Sequence, residues 1–398
     1  MLLNVKSIKI NAIFNSLYQI LVLLAALITT PYISRVLGVD AIGSYQFCYS
    51  IVTYFTILAT FGFSDYGTKK ISELRNNKNQ KSDAFWEIMC AKGIISFICL
   101  LLYLIITLSI FAGTQLILFS VMSLYIISIL LDPTFYFQGK ENFVSISIKN
   151  SLVRVLTIIL IFLIVKDQND VVLYALALAA SNTISAFVMY FSLRGEISKP
   201  KWKSLHIFEQ FKRSFPFFLP SISVTLFTSL NQTLLGIVGD SNAISGYYAQ
   251  AVKFSGLIAS FVGSISIIML SRISYLHSIS DESQARSKIS VSFHALWAIG
   301  MPCVFGICAI SRFLIPIFLG EGYEPVIDLV YIVAPIGILS PLNTLYSNVY
   351  CKAYNKIWYQ TLILIIASIV SIALNIFLIP SLGAVGCAIA SLCAEIIQ

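Results

Sequence analysis

The chain has 398 residues, 58% of them hydrophobic and only 11% charged, with a mean hydropathy of +0.87. Soluble domains carry about 25% charged residues, so this composition excludes a large soluble core and predicts an all-α protein that crosses the membrane many times. The net charge of +8 invites a nucleic-acid reading, which the placement of the basic residues makes unnecessary.

Apolar runs of about 17–25 residues are the length a helix needs to cross the hydrocarbon core. Twelve follow in order: 11–34, 41–63, 88–110, 115–137, 149–165, 171–193, 214–238, 244–270, 290–318, 326–350, 358–379 and 383–398. The first follows Lys6 and Lys9 as a secretory signal would, yet it is too long for one and no small-x-small cleavage site closes it. It is read as a retained span, ending in ITTPYISRVLG (28–38) with Pro31 and Arg35 near its far boundary. The twelfth has sixteen residues and contains Glu395, so an incomplete or tilted span is expected.

Basic residues in short loops set the orientation. Twenty lie on the side of the N-terminus: Lys6 and Lys9, then Lys69, Lys70, Arg75, Lys78 and Lys81, then Lys140 and Lys149, the Arg194–Arg213 group, then Arg272, Arg286, Lys288, Lys352 and Lys356. The opposite loops hold only Arg35 and Lys166. The N-terminus is therefore expected in the cytoplasm, and the basic balance needs no nucleic acid.

The longest cytoplasmic loop, 194–213, divides the spans into two groups of six, predicting an N-lobe of 1–193, a linker, and a C-lobe of 214–398. GVDAIGSY (38–45) and GDSNAISGYY (239–248) echo each other at a spacing of 202 residues, each opening an even-numbered span. An even number of spans per repeat gives both halves the same orientation. Gly-rich hairpins that merely look alike are the alternative.

No P-loop, H-E-x-x-H or G-x-S-x-G motif occurs. No catalytic residue and no metal ligand is therefore predicted. The eight cysteines lie in or beside apolar runs, with no C-x-x-C pair, and read as small packing residues.

Charges within spans carry more information, because one near the bilayer centre costs at least about 2.5–3.5 kcal/mol. Asp132 falls in span 4, Arg154 in span 5, Lys253 in span 8, Arg312 in span 9 and Asp328 in span 10. Snorkelling is the alternative for Arg154, Arg312, Asp328 and Lys92, and pairing with a basic neighbour for Asp132, which precedes Pro133. Lys253 is the deepest. Interior basic groups, with no deeply placed acid in the first three spans, favour an anionic cargo.

TTPYISRVLGVDAIGSY (29–45) resembles the first hairpin of the Wzx family of O-antigen and polysaccharide flippases, in the multidrug/oligosaccharidyl-lipid/polysaccharide (MATE-like) exporter superfamily. LDPTFYFQGKENF (131–143) is similar to that family's D-x-x-x-x-F-x-G-x-E-x-F pattern at Asp132, Phe137, Gly139, Glu141 and Phe143, with Tyr136 where a Trp is usual. YYAQAVKFSGLI (247–258) matches its span 8 at Lys253, and LNIFLIPSLGAVGCAIAS (374–391) its closing stretch, at Asn375, Pro380, Gly383 and Gly386.

The resemblance implies two six-helix lobes around a central cavity. The cargo would be an oligosaccharide on undecaprenyl diphosphate, moved between leaflets of the bacterial inner membrane beside other polysaccharide-assembly membrane proteins. Basic partners suit the diphosphate. Lys253 and Arg154 are the leading contacts, Arg35 and Arg312 lie nearer the exit, and Asp132 and Asp328 complete the set. Pro31, Pro216 and Pro220 are candidate hinges for alternating access by rocking of the lobes. No cofactor is called for; H⁺ or Na⁺ coupling is permitted and not required. A multidrug/cation antiporter of the same superfamily, a membrane-embedded glycan-assembly enzyme and a non-transporting scaffold are the alternatives.

Overall fold

The computed structural model describes the backbone of residues 5–74, 77–200, 202, 205–278, 282–346 and 357–398, and no strand occurs among them. Arg75, Lys201, Lys203, Lys352, Lys356 and the end of the tenth predicted span lie outside the described residues. Fourteen helices follow in order: α1 (Val5–Thr60), α2 (Phe63–Glu73), α3 (Lys78–Ile110), α4 (Gly113–Leu131), α5 (Thr134–Gly139), α6 (Phe143–Ile164) and α7 (Val171–Phe191). After these come α8 (Ile207–Val238), α9 (Asn242–Ser278), α10 (Glu282–Leu319), α11 (Pro325–Val333), α12 (Ile336–Leu345), α13 (Ile357–Leu382) and α14 (Ala384–Ile397).

Counting α1 as one and α11–α12 as one, eight described helical stretches are individually long and apolar enough to cross a membrane, and the broken α8 makes a ninth. The 56 residues of α1 would run about 84 Å as one rod at 1.5 Å per residue, far beyond a hydrocarbon core of about 30 Å. Gly38 interrupts it at φ 74°, ψ 175°, a conformation open to glycine because it has no Cβ. Thus α1 holds the first two predicted spans. The rest follow in chain order on α3, α4, α6, α7, α8, α9, α10, α11–α12, α13 and α14, with α14 only 14 residues long. Pro31 lies in helical backbone, so the break in α1 belongs to Gly38.

The chain divides into two compact units, Met1–Leu37 with Cys48–Thr225, and Gly38–Phe47 with Leu226–Gln398. This differs from a division at the 194–213 loop: the boundary falls inside α8, whose first half, with Pro216 and Pro220, joins the N-terminal unit. Side chains fasten the loop there. Trp86 Nε1 donates to the Ser198 carbonyl at 2.9 Å, and the Ser198 N–H donates to Ser82 Oγ at 3.1 Å. Glu87 accepts from the His206 N–H at 2.9 Å and from Gln210 Nε2 at 2.8 Å, while the Tyr66 hydroxyl donates to Gln210 Oε1 at 2.7 Å. Phe61 stacks on Phe218 with centroids 4.8 Å apart, adding apolar contact to the polar ties.

Within the N-terminal unit, α2, α3 and α5 enclose a core of Phe63, Ile71, Phe85, Phe135, Tyr136 and Phe137. A Cβ at Gly139 would lie 2.7 Å from both Ile71 Cβ and the Thr68 carbonyl oxygen, so the D-x-x-x-x-F-x-G stretch contains a glycine where α5 lies against α2. Asp132 Oδ1 accepts from the Thr134 N–H at 2.9 Å and from the Thr134 hydroxyl, forming the turn that enters α5. The buried Lys92 ammonium, on α3, donates to the Asp132 carbonyl oxygen.

In the C-terminal unit α9 packs against α10, α11 and α12, and α13 against α14. Its buried side chains Ala251, Phe254, Ser255, Ile258 and Val262 recur at helical spacing, forming the face turned to its neighbours.

Candidate functional site

Half-buried Arg154 lies on α6, between the buried Val153 and Thr157. Its Nε is enclosed and has no hydrogen-bond partner. The guanidinium is within electrostatic reach of the phenols of Tyr49 on α1 and Tyr174 on α7, and Tyr49 meets the Tyr125 ring edge-on at 5.4 Å. Above and below it, Ser185 donates to Asn150 Oδ1 at 2.5 Å and Thr157 donates to Ser181 Oγ at 2.7 Å. Asn150, Arg154 and Thr157, spaced four and three residues apart, thus form a polar stripe on α6. Neither neighbouring pair includes a carboxylate, and among the described residues Arg154 makes no ion pair.

Lys253 on α9 is half-buried and lies off the face that packs against α10–α12. Among the described residues it has no hydrogen-bond or ion-pair partner. Arg154 in the N-terminal unit and Lys253 in the C-terminal unit are thus half-buried basic side chains, within apolar helices, that no described carboxylate neutralises. A partly buried charge without a partner is costly, so both places favour an anion.

The other predicted charges are placed differently. Arg312 on α10 and Asp328 in the first turn of α11 are exposed, and neither pairs with Lys253 among the described residues. Arg35 is exposed, one turn from Tyr32, whose hydroxyl donates to the Val165 carbonyl at 2.6 Å. Asp132 uses its side chain on Thr134 and its carbonyl on Lys92. Among the described residues no three His, Cys, Asp or Glu side chains gather as for a metal. Seven of the cysteines are free thiols, and Cys351 lies outside the described residues.

One cluster was missed from the sequence. Asn231 on α8 accepts from Ser371 Oγ at 3.0 Å and Asn375 Nδ2 at 2.7 Å on α13, and donates to Ser391 Oγ at 2.8 Å on α14. Ser391 also meets the Tyr248 hydroxyl of α9 at 2.6 Å. Every member is buried. Amides at 231 and 375 within apolar runs were the available signal, since a lone amide in hydrocarbon is costly; a search for charges passes over them.

Such a polytopic helical bundle, with neutral polar ties between its helices, is a multi-pass membrane protein. The family described as polysaccharide biosynthesis protein matches residues 8–274, and the chain belongs to it. It is 22% identical to a protein assigned as an O-antigen transporter in Escherichia coli (strain K12), over 98% of this chain and 95% of the relative. A similarly assigned protein of Shigella dysenteriae is 22% identical over 75% of this chain and 74% of its own. In fold the chain is similar to the lipid II flippase MurJ in an inward closed conformation, with a TM-score of 0.77, 19% identity, and coverage of 98% of this chain and 85% of that one. An inward-facing multidrug resistance MATE family transporter of the MOP superfamily gives a TM-score of 0.70 at 14% identity, covering 94% and 92%.

Proposed function

We propose that the chain flips oligosaccharide repeat units linked to undecaprenyl diphosphate from the cytoplasmic to the periplasmic leaflet of the inner membrane, for O-antigen or related surface polysaccharide, by alternating access. The observation that carries this is the pair of basic groups, Arg154 and Lys253, each without a described carboxylate partner in its own unit. A diphosphate offers the charge and acceptor oxygens that a guanidinium and an ammonium lack there. The names of the E. coli and S. dysenteriae relatives support the same reading.

Energetics agree with an uncoupled route. Each elementary charge crossing 100 mV is worth about 2.3 kcal/mol, and an anion leaving a negative-inside cell moves downhill. The excess of basic residues in the loops on the N-terminal side supports a cytoplasmic N-terminus.

A multidrug/cation antiporter is the second reading, favoured by the MATE fold likeness. It requires acidic side chains inside the N-terminal unit, and the buried charged residue described there is Lys92. The deciding experiment expresses the chain in a strain lacking its own flippase and measures surface polysaccharide. Restoration by the wild type and its loss in Arg154→Ala and Lys253→Ala are expected; full polysaccharide from both variants would sink the site.

A further inference from the structure

Three consecutive aromatic residues, Phe135, Tyr136 and Phe137, carry four lysines on their faces. Lys92 lies over Phe135 with its ammonium 5.7 Å from the centroid, and Lys149 over Phe137 at 5.4 Å. Tyr136 has two, Lys81 at 5.8 Å and Lys140 at 5.5 Å. Lys92 is buried and tied to the Asp132 carbonyl, so it belongs to the core. The other three are half-buried.

The centre of this group is Tyr136. Its side chain is fully buried, yet its hydroxyl has no hydrogen-bond partner of ordinary geometry. It lies beside the carboxylate of Glu196, which is paired with Lys140 and within electrostatic reach of Lys149. Lys149 also donates to Ser145 Oγ at 2.7 Å. Glu196 follows α7 and its side chain is 33% exposed, so it can swing into water. An anion entering in its place would meet two or three ammonium groups and one buried phenol donor. With Glu196 withdrawn the buried phenol would be left without an acceptor, which is costly, and a ligand oxygen can supply one.

We propose that Tyr136, Lys140, Lys149 and Lys81 form a binding site for a phosphate-bearing lipid headgroup at the cytoplasmic face of the N-terminal unit. Tetrahedral phosphate suits it, because several oxygens can accept from separate ammonium groups and from the phenol at once. The phosphate comes either from an anionic phospholipid of the bilayer or from the diphosphate of the cargo before it enters; only the second source rests on the flippase reading.

The test uses the full chain in phosphatidylcholine nanodiscs, titrated with phosphatidylglycerol or with undecaprenyl diphosphate. Acylation of individual lysines is followed by peptide mass spectrometry, with exposed Lys288 as the internal reference. Protection of Lys81, Lys140 and Lys149 relative to Lys288 is expected, and the effective lipid identifies the source. Tyr136→Phe should weaken that protection about tenfold, the scale of one charge-assisted hydrogen bond, with an unchanged thermal unfolding curve. Lys140→Gln should weaken protection of the remaining two lysines, which keeps the site testable if the core variant unfolds. Equal protection of all lysines, no protection by either lipid, or wild-type protection in both variants would overturn the proposal. Arg154→Ala separates the two readings: it should abolish transport and leave this protection intact.

Discussion

Ser245 Oγ donates to the carbonyl oxygen of Gly43 at 3.4 Å, and the two residues occupy the same position of the repeated hairpin, 202 residues apart. Equivalent positions in contact are what a local two-fold axis between the two segments produces. The backbones on either side of that contact also approach closely. A Cβ on Gly43 would overlap the Asn242 carbonyl oxygen, and one on Gly246 would overlap that of Val39. Both segments lie in the C-terminal unit, so the echo is a packing motif as well as a trace of repetition.

Gly43→Ala is therefore expected to destabilise, since backbone must move to admit the methyl. The cost should be about 1–3 kcal/mol, as for other overpacked sites. Gly93→Ala is the control: nothing lies within 4 Å of its added Cβ, and in mid-helix the change should stabilise by about 0.5–1 kcal/mol. Thermal unfolding in detergent should order the proteins Gly93→Ala, wild type, Gly43→Ala; any other order refutes this account of the crossing.

Much of this was legible because hydropathy and spacing are local quantities. The order of spans can be counted from the apolar runs, and the echo from five residue types. What escaped depends on partners far apart in the chain. The loop 194–213 reads as a linker by its charge, but Glu87, Trp86 and Ser82 fasten it from over a hundred residues away. Pro31 draws the eye as a helix breaker, whereas the break sits at Gly38, where φ must be positive. Arg154, Arg312 and Asp328 look alike as charges in apolar runs; only packing separates the half-buried one from the exposed two. Asn231 was overlooked among the charges because its three side-chain partners are spread from 371 to 391 along the chain, with Tyr248 joined through Ser391.

The Asp132 carboxylate acts on its own turn. Asn can present the same oxygen to the Thr134 N–H, so Asp132→Asn should keep both folding and surface polysaccharide near wild type. Asp132→Ala removes the turn's acceptor and should lose about 1 kcal/mol, as helix N-caps do. Lost transport in a well-folded Asp132→Asn would instead give the negative charge a direct role.

Releasing the linker should be visible to a protease. Glu87→Ala removes the acceptor of both the His206 N–H and Gln210 Nε2. Local opening should become easier by about 1.4 kcal/mol, raising trypsin cleavage at Lys199 about tenfold under conditions where opening precedes cutting. Unchanged cleavage, read by peptide mass spectrometry, would show that the apolar contact of Phe61 with Phe218 holds the segment without Glu87.

The Asn231 cluster predicts a larger loss from one side chain than its own size suggests. Asn231→Ala strands Asn375 Nδ2, Ser371 Oγ and Ser391 Oγ together, although Ser391 keeps Tyr248 and Asn375 keeps the Ser371 carbonyl. Interhelical hydrogen bonds in membranes average about 0.6 kcal/mol each, so three broken together give about 2 kcal/mol. Ser371→Ala removes one and should cost about a third as much. Combining the two substitutions should then cost little more than Asn231→Ala alone, because both act on the same bond. Fully additive losses in denaturant unfolding would mean that the four side chains act independently, against a hub centred on Asn231.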